Sequence, residues 1–126
     1  CSCCQAHGID IISMIAPTSK DRIQTIAKAG EGFLYIVSSL GVTGTRTEIK
    51  TNLKDIIDTA KAVTDVLAVG FGINTTEQAE AIGRDADGVI VGSAIVKLIA
   101  KYGDDAEKPI YDYVKEMKEA VMRSRS

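Results

Sequence analysis

Short apolar runs alternate along the chain with segments in which apolar residues recur every three or four positions. Four runs are almost continuously apolar, and they lie near residues 9–16, 33–38, 66–70 and 88–91. Runs of this kind are typical of parallel strands that are covered on both faces. The segments between them have helical spacing, as for Leu53, Ile56 and Ile57. The pattern therefore predicts four consecutive strand–helix units.

Several of the predicted helices carry start signals. The sequence from Thr18 to Asp21 looks like a capping box ahead of an apolar helix face formed by Ile23, Ile26 and Ala27. The sequence from Thr75 to Gln78 is a second capping box. Pro109 suits the first position of a final helix, whose predicted apolar stripe is Ile110, Val114, Met117 and Val121.

Strands that alternate with helices form a parallel sheet with right-handed crossovers. A complete (βα)₈ TIM barrel needs about 250 residues, so four units in 126 residues predict half of such an α/β barrel, as one domain over residues 1–126. The competing architecture is a small flavodoxin-like sheet, but no nucleotide fingerprint follows the first strand. The chain opens on Cys1 within a predicted helix that Gly8 ends, which favours a fragment.

A half-barrel leaves its concave face without a covering layer. We expect that face to be apolar, and the residues predicted for it, or their neighbours, are Ile12, Met14, Leu34, Ile36, Leu67 and Val89. Two sheet edges are also left without partners, and exposed edges favour association.

Composition removes several classes of function. A net charge of −2 and an aromatic content of 5% argue against a nucleic-acid partner. The apolar runs are shorter than the ~20 residues that span a membrane. Three cysteines crowd positions 1–4, and His7 is the sole histidine, so a zinc site has no convincing ligand set. Reduced thiols in a cytoplasmic protein, with no metal, are the prediction.

Three glycine-bearing loops follow the second, third and fourth predicted strands. They are Gly41–Gly44, Gly70–Gly72 and Gly92–Ser93, and in a parallel sheet they share the carboxyl edge, where barrel sites are built. Glycine lets a backbone N–H approach an anion, and a helix N-terminus favours negative charge. The loops therefore predict a phosphate site, although each of them could also be only a tight turn.

The ionisable residues offer no catalytic pair. Asp10, Asp65 and Asp87 precede or open strands, at the edge away from the glycine loops, and Glu48 lies in a long polar loop predicted over residues 38–50. His7 reads as a residue at a helix end. A phosphate site without an acid or a base beside it predicts that the catalytic groups lie outside this chain.

Four motifs resemble one family when they are taken in order and spacing. They are Ile15–Thr18, the FLYIVSSLGVTGTRT segment of residues 33–47, the AVGFGI turn of residues 68–73, and the DGVIVGSAIV segment of residues 87–96. Together they are similar to strands five to eight of the tryptophan synthase α subunit family. The resemblance runs through essentially the whole chain and implies the last four units of its barrel.

That family is a lyase of tryptophan biosynthesis, which cleaves indole-3-glycerol phosphate to indole and glyceraldehyde 3-phosphate. The resemblance implies a pyridoxal-phosphate-dependent β subunit as partner in an α₂β₂ complex, and no cofactor in the α subunit itself. The implied phosphate ligands are Gly44, Gly72, Gly92 and Ser93. The implied substrate pocket contains Tyr35, Thr43, Phe71, Ile73 and Ile90. The catalytic glutamate and aspartate of the family belong to its first strands, so no catalytic residue is implied here.

Two other interpretations use the same glycine loops. One is a stand-alone phosphate-binding half-barrel module without catalysis, and the other is a relative of indole-glycerol-phosphate synthase. The loop from Gly41 to Gly44 argues against the second of these. For the tryptophan synthase α subunit family, the 126 residues alone are expected to be inactive.

Overall fold

A computed structural model describes residues 2–38, 46–70 and 72–125. For Ser2, Lys20 and residues 46–52 it describes the backbone only. Short 3-10 helices cover Pro17–Arg22 and Gly103–Asp105. The strands are β1 Met14–Ile15, β2 Leu34–Val37, β3 Leu67–Gly70 and β4 Gly88–Val89. The helices are α1 Ser2–Ala6, α2 Ile23–Lys28, α3 Arg46–Lys61, α4 Thr76–Gly83, α5 Ser93–Tyr102 and α6 Glu107–Arg123.

The four strands form one sheet in the order β1–β2–β3–β4, and every pair is parallel. Sequential order with parallel pairing is the arrangement of consecutive βα units in a barrel wall. In this register Tyr35 stands between Met14 on one side and Ala68 on the other. All four carboxyl ends therefore lie at one edge.

One face of the sheet is buried beneath the helices. Its residues are Ile15, Leu34, Ile36, Leu67 and Val69, each at most 1% exposed, and they join the core cluster. The opposite, concave face contains Met14, Tyr35, Val37, Ala68 and Gly88. Met14 is 57% exposed there.

The concave face was therefore predicted with the wrong phase for several residues. Leu34, Ile36, Leu67 and Val89 lie on the helix side, while Met14 was placed correctly. Because successive side chains of a strand point to opposite faces of the sheet, a one-residue error in phase assigns every side chain of that strand to the wrong face. A continuous apolar run contains no polar residue that would fix this phase.

The strands are shorter than the predicted ranges. Strand β1 covers Met14–Ile15 rather than residues 9–16, and β4 covers Gly88–Val89 rather than 88–91. Both lie at the edges of the described sheet, where a strand pairs on one side only. Ladder hydrogen bonds continue past them: the Tyr35 N–H donates to the Ser13 carbonyl at 2.9 Å, and the Ile90 N–H donates to the Val69 carbonyl at 2.8 Å.

The predicted helix faces are confirmed for α2 and α3. Ile23 and Ala27 of α2 are buried, as are Ile56 and Ile57 of α3. Two starts were predicted wrongly. A 3-10 helix from Pro17 precedes α2, since Pro17 fixes the backbone before Thr18 could act as a cap. Helix α3 begins at Arg46, so Glu48 lies in a helix and not in a loop, because a polar helix turn and a polar loop look alike in sequence.

The capping box at α4 is confirmed. The Thr75 hydroxyl oxygen accepts a hydrogen bond from the Gln78 N–H at 3.3 Å, and the Gln78 Oε1 accepts one from the Thr75 N–H at 3.2 Å. Gly8, at φ 65°, follows α1 as predicted. Helix α6 begins at Glu107, two residues before Pro109. Proline is tolerated throughout the first turn, where N–H groups have no partner within the helix.

Candidate functional site

The described glycine loops lie at the carboxyl edge of the sheet. Strand β3 ends at Gly70, shortly before Gly72, and β4 ends at Val89, shortly before Gly92. Because the strands are parallel and adjacent, these loops leave the sheet side by side. Gly44 and Thr43 of the preceding loop, and Phe71 between the two glycines, lie outside the described residues.

Gly72 adopts φ 75°, a left-handed conformation that glycine takes at little cost. The following residues are held in place by polar contacts. The Asn74 N–H donates to Gln78 Oε1 at 2.9 Å, and the Tyr113 hydroxyl donates to the Asn74 carbonyl at 3.1 Å. Burial raises the pKa of Tyr113, which keeps the phenol protonated as the donor. The turn after β3 is therefore fixed from both α4 and α6.

Gly92 and Ser93 open α5, a helix of ten residues. The Gly92 carbonyl accepts the first helical hydrogen bond, from the Val96 N–H at 3.1 Å, and no side chain caps this end. Both residues are exposed, and nothing lies within 4 Å of the position that a Cβ on Gly92 would occupy. The first turn of α5 thus presents N–H groups and a positive dipole end to solvent, which is a favourable place for an anion.

The predicted pocket residues fall into two groups. Tyr35 and Ile90 are half-buried, and both lie on the concave side of the sheet, since Ile90 follows Gly88 by two residues. Ile73 is 4% exposed and belongs to the hydrophobic core cluster. The structure therefore brings Tyr35 and Ile90 to one face, while Ile73 packs into the core.

Tyr35 lies across Gly70. An ideal Cβ built on Gly70 would come within 2.5 Å of the Tyr35 Cζ and closer still to its Oη. Tyr35 pairs with Ala68, and Gly70 follows on the same face of β3. Because Gly70 has no side chain, the Tyr35 ring can lie over its backbone. The sequence did not predict this role of Gly70 in making room for Tyr35.

Ser38 is a second residue whose role was not predicted. It is 1% exposed and is the buried polar residue of the described part of the chain. Its N–H and its hydroxyl both donate to the Gly70 carbonyl, each at 2.9 Å. A polar residue directly after a buried strand is the signal that could have identified it.

Asp87 lies at the opposite edge from the glycine loops, as predicted. It directly precedes β4, and its Oδ2 accepts a hydrogen bond from the Leu67 N–H at 3.1 Å. Its carbonyl also accepts a hydrogen bond from the Arg125 guanidinium. These contacts give Asp87 a structural part in joining β3, β4 and the end of α6.

A groove of about 420 Å³ lies on the helix side of the sheet rather than on the concave face. Its walls include Val89 and Val91, Ile95 of α5 and Met117 of α6. Within the described ranges, no three His, Cys, Asp or Glu side chains come together as a metal-binding group. Over the same residues, no helix is long and apolar enough to cross a membrane.

Comparison with known proteins extends the likeness over nearly the whole chain. A family model described as tryptophan synthase alpha chain matches residues 1–123. The tryptophan synthase alpha chain of Lacticaseibacillus casei is 48% identical over 118 residues, which cover 93% of this chain and 44% of that protein. Its counterpart in Halalkalibacterium halodurans is 49% identical over 107 residues, covering 84% and 40%. The chain therefore spans less than half the length of these curated relatives.

A solved structure agrees with this assignment. Tryptophan synthase from Mycobacterium tuberculosis matches with a TM-score of 0.77 at 32% identity, over 95% of this chain and 45% of that chain. The likeness, together with the parallel sheet of four βα units, confirms the predicted fold as part of a (βα)₈ barrel. On the family match and the identity to its relatives, the chain belongs to the tryptophan synthase alpha chain family.

Proposed function

We propose that this chain supplies the phosphate and indole side of a site that cleaves indole-3-glycerol phosphate to indole and glyceraldehyde 3-phosphate. The observation that carries the proposal is the position of Gly92 and Ser93. They open a ten-residue helix at the same sheet edge as the left-handed Gly72 turn. Two sets of backbone N–H groups are thereby offered at one end of a parallel sheet.

The phosphate of the substrate would be held by Gly72, Gly92 and Ser93, with Gly44 completing the set. Backbone N–H groups and a helix dipole bind an anion without a lysine or arginine. Gly92 has open space where a Cβ would point, so an anion can approach its backbone. These phosphate contacts would hold the substrate at the carboxyl edge of the sheet.

The indole and glycerol parts would lie against the concave face. Tyr35 and Ile90 occupy that face, and Thr43 and Phe71 are proposed as further pocket residues, whereas Ile73 packs into the core. Half-buried apolar side chains at the end of a barrel suit a flat aromatic ring. These side chains would orient the carbon–carbon bond that is cleaved.

The reaction itself needs two proton transfers. A proton is added to the indole carbon as the carbon–carbon bond breaks, and another is removed from the glycerol hydroxyl, whose electron pair forms the new carbonyl of glyceraldehyde 3-phosphate. We assign both transfers to carboxyl groups on strands outside these 126 residues. This chain binds and orients, and is a lyase only as part of a whole barrel.

The proposal includes a cytoplasmic enzyme with a β subunit as partner. The α chain would carry no cofactor, since pyridoxal phosphate would belong to the β subunit, which would receive the indole. A solved relative of this chain is described as tryptophan synthase from Mycobacterium tuberculosis, which supports placing the chain within that enzyme.

A chimera tests the phosphate site. In it, this chain replaces the matching segment of the Lacticaseibacillus casei relative, and glycerol 3-phosphate binding is measured by calorimetry. Ser93→Asp places a carboxylate at the start of α5 and should weaken binding by more than about tenfold, or ~1.4 kcal/mol. Gln24→Glu, which adds the same charge on α2, is the control and should bind normally. Unchanged affinity in Ser93→Asp would remove α5 from the site.

A further inference from the structure

Ser38 joins the end of β2 to the end of β3. It is the residue after β2, directly before residues 39–45, and it contacts Gly70, directly before the turn that contains Gly72. Both of its donors, N–H and Oγ–H, reach the same Gly70 carbonyl oxygen at 2.9 Å. The contact is buried, with Ser38 1% exposed.

Two hydrogen bonds to the Gly70 carbonyl restrain the orientation of its peptide group as well as its distance from Ser38. The carbonyl belongs to a planar peptide unit, so holding its oxygen from two directions restrains the plane through which the chain leaves Gly70. A carbonyl has two lone pairs, and both donors can be accommodated. In a buried environment such hydrogen bonds are also shielded from competition with water.

We infer that Ser38 is a positioning residue for the phosphate site, acting through Gly70 to set the direction in which the turn that contains Gly72 leaves β3. The inference rests on the proposed function, because the direction of this turn matters to the ligand only if the Gly72 backbone binds the phosphate. The Ser38 hydroxyl does not need to touch the ligand. Its effect is on the position of the backbone donors in the turn after β3.

The test uses the chimera with Ser38→Ala. Losing the hydroxyl should weaken binding of glycerol 3-phosphate about three- to tenfold, and should raise KM for indole-3-glycerol phosphate while kcat stays within about twofold, the pattern of lost uniform binding. Ser38→Cys keeps the shape of the side chain and a weak S–H donor, although sulfur is larger than oxygen. It should give an intermediate affinity, and urea unfolding checks that it folds.

The control is Ser124→Ala. The Ser124 hydroxyl donates to the Val121 carbonyl at 2.6 Å at the end of α6, so its loss also removes a hydroxyl–carbonyl bond, but away from the glycine loops. It should lower stability in urea without changing affinity. Wild-type affinity in Ser38→Ala and Ser38→Cys would overturn the inference, and so would equal weakening in Ser124→Ala.

The outcomes separate this inference from the function on which it rests. If Ser93→Asp weakens binding and the two Ser38 variants do not, the phosphate site stands and the positioning role is wrong. If the parent chimera folds but does not bind glycerol 3-phosphate, both are wrong.

Discussion

The Tyr35 ring occupies the space in which a side chain on Gly70 would lie, with its Cζ 2.5 Å from an ideal Cβ at that position. The two residues are on neighbouring strands and on the same concave face. Tyr35 is also a proposed pocket residue, and the Gly70 carbonyl is held by Ser38. The shape of the pocket wall and the path of the turn after β3 are therefore linked at one point.

This contact predicts a coupling between two substitutions. Gly70→Ala should lower the free energy of unfolding by about 1 kcal/mol, the low end for overpacking, because the free end of the Tyr35 ring can swing aside. In a Tyr35→Ala background the same substitution should cost nothing, since its Cβ no longer meets the ring. Urea unfolding of the two single variants and the double variant, in the chimera, measures the coupling. Equal costs of Gly70→Ala in both backgrounds would contradict the contact.

Local signals predicted those parts of the fold that local chemistry decides. The Thr75–Gln78 capping box and the glycine after α1 lie where the sequence placed them, because a cap involves only neighbouring residues. The alternation of strands and helices was equally readable. So was the carboxyl edge as the place of the glycine loops, since parallel pairing fixes which strand ends meet.

Contacts between distant residues were not predictable in the same way. Ser38 and Gly70 are 32 positions apart, and no local pattern shows that one will hold the other. The phase of β2 was also hidden, because Leu34, Tyr35 and Ile36 are all apolar enough to face a core. Only the packing of helices on one side of the sheet decides which of them is buried.

The hydrogen bonds of Glu31 predict that the free energy of unfolding depends on pH in the acid range. Its Oε1 accepts a hydrogen bond from the Gln5 side chain at 2.7 Å, and its Oε2 accepts one from the Ile11 N–H at 3.2 Å. These two hydrogen bonds, first the one from Gln5 and then the one from Ile11, lower the pKa of Glu31 from its ordinary value of 4.5. The stability they contribute is present above that value and is lost as the pH falls through the lowered folded-state pKa.

Glu31→Gln should therefore flatten the loss of stability in the range from about pH 5 to pH 3. Urea unfolding at several pH values compares it with the parent chimera, and Glu116→Gln, an exposed residue of α6, serves as the control that keeps the parent slope. A slope in Glu31→Gln equal to that of the parent would show that these hydrogen bonds do not favour the ionised carboxyl.

Surface area predicts that the isolated 126 residues associate. The chain exposes 8392 Å², whereas a compact monomer of its mass exposes about 6,500 Å². The excess is more than the roughly 800 Å² that each partner buries in a standard interface. Exposed apolar residues such as Met14 on the concave face, 57% exposed, contribute to it.

Sedimentation velocity on the isolated chain should show species heavier than 13.4 kDa. Met14→Lys should shift the distribution toward monomer, because a charge on the concave face opposes its burial, whereas Gln24→Lys on α2 should not. A stable monomer with slowly exchanging amides along β1 and β4 would contradict the prediction.

Cleavage of indole-3-glycerol phosphate, followed as indole release, tests most directly whether this chain supplies the binding half of a divided site. We expect the chimera to release indole, Ser93→Asp to require a higher substrate concentration, and the isolated 126 residues to release none. Steady turnover by the isolated chain would contradict the assignment of both proton transfers to other strands. A folded chimera that binds glycerol 3-phosphate yet releases no indole would contradict the proposed reaction.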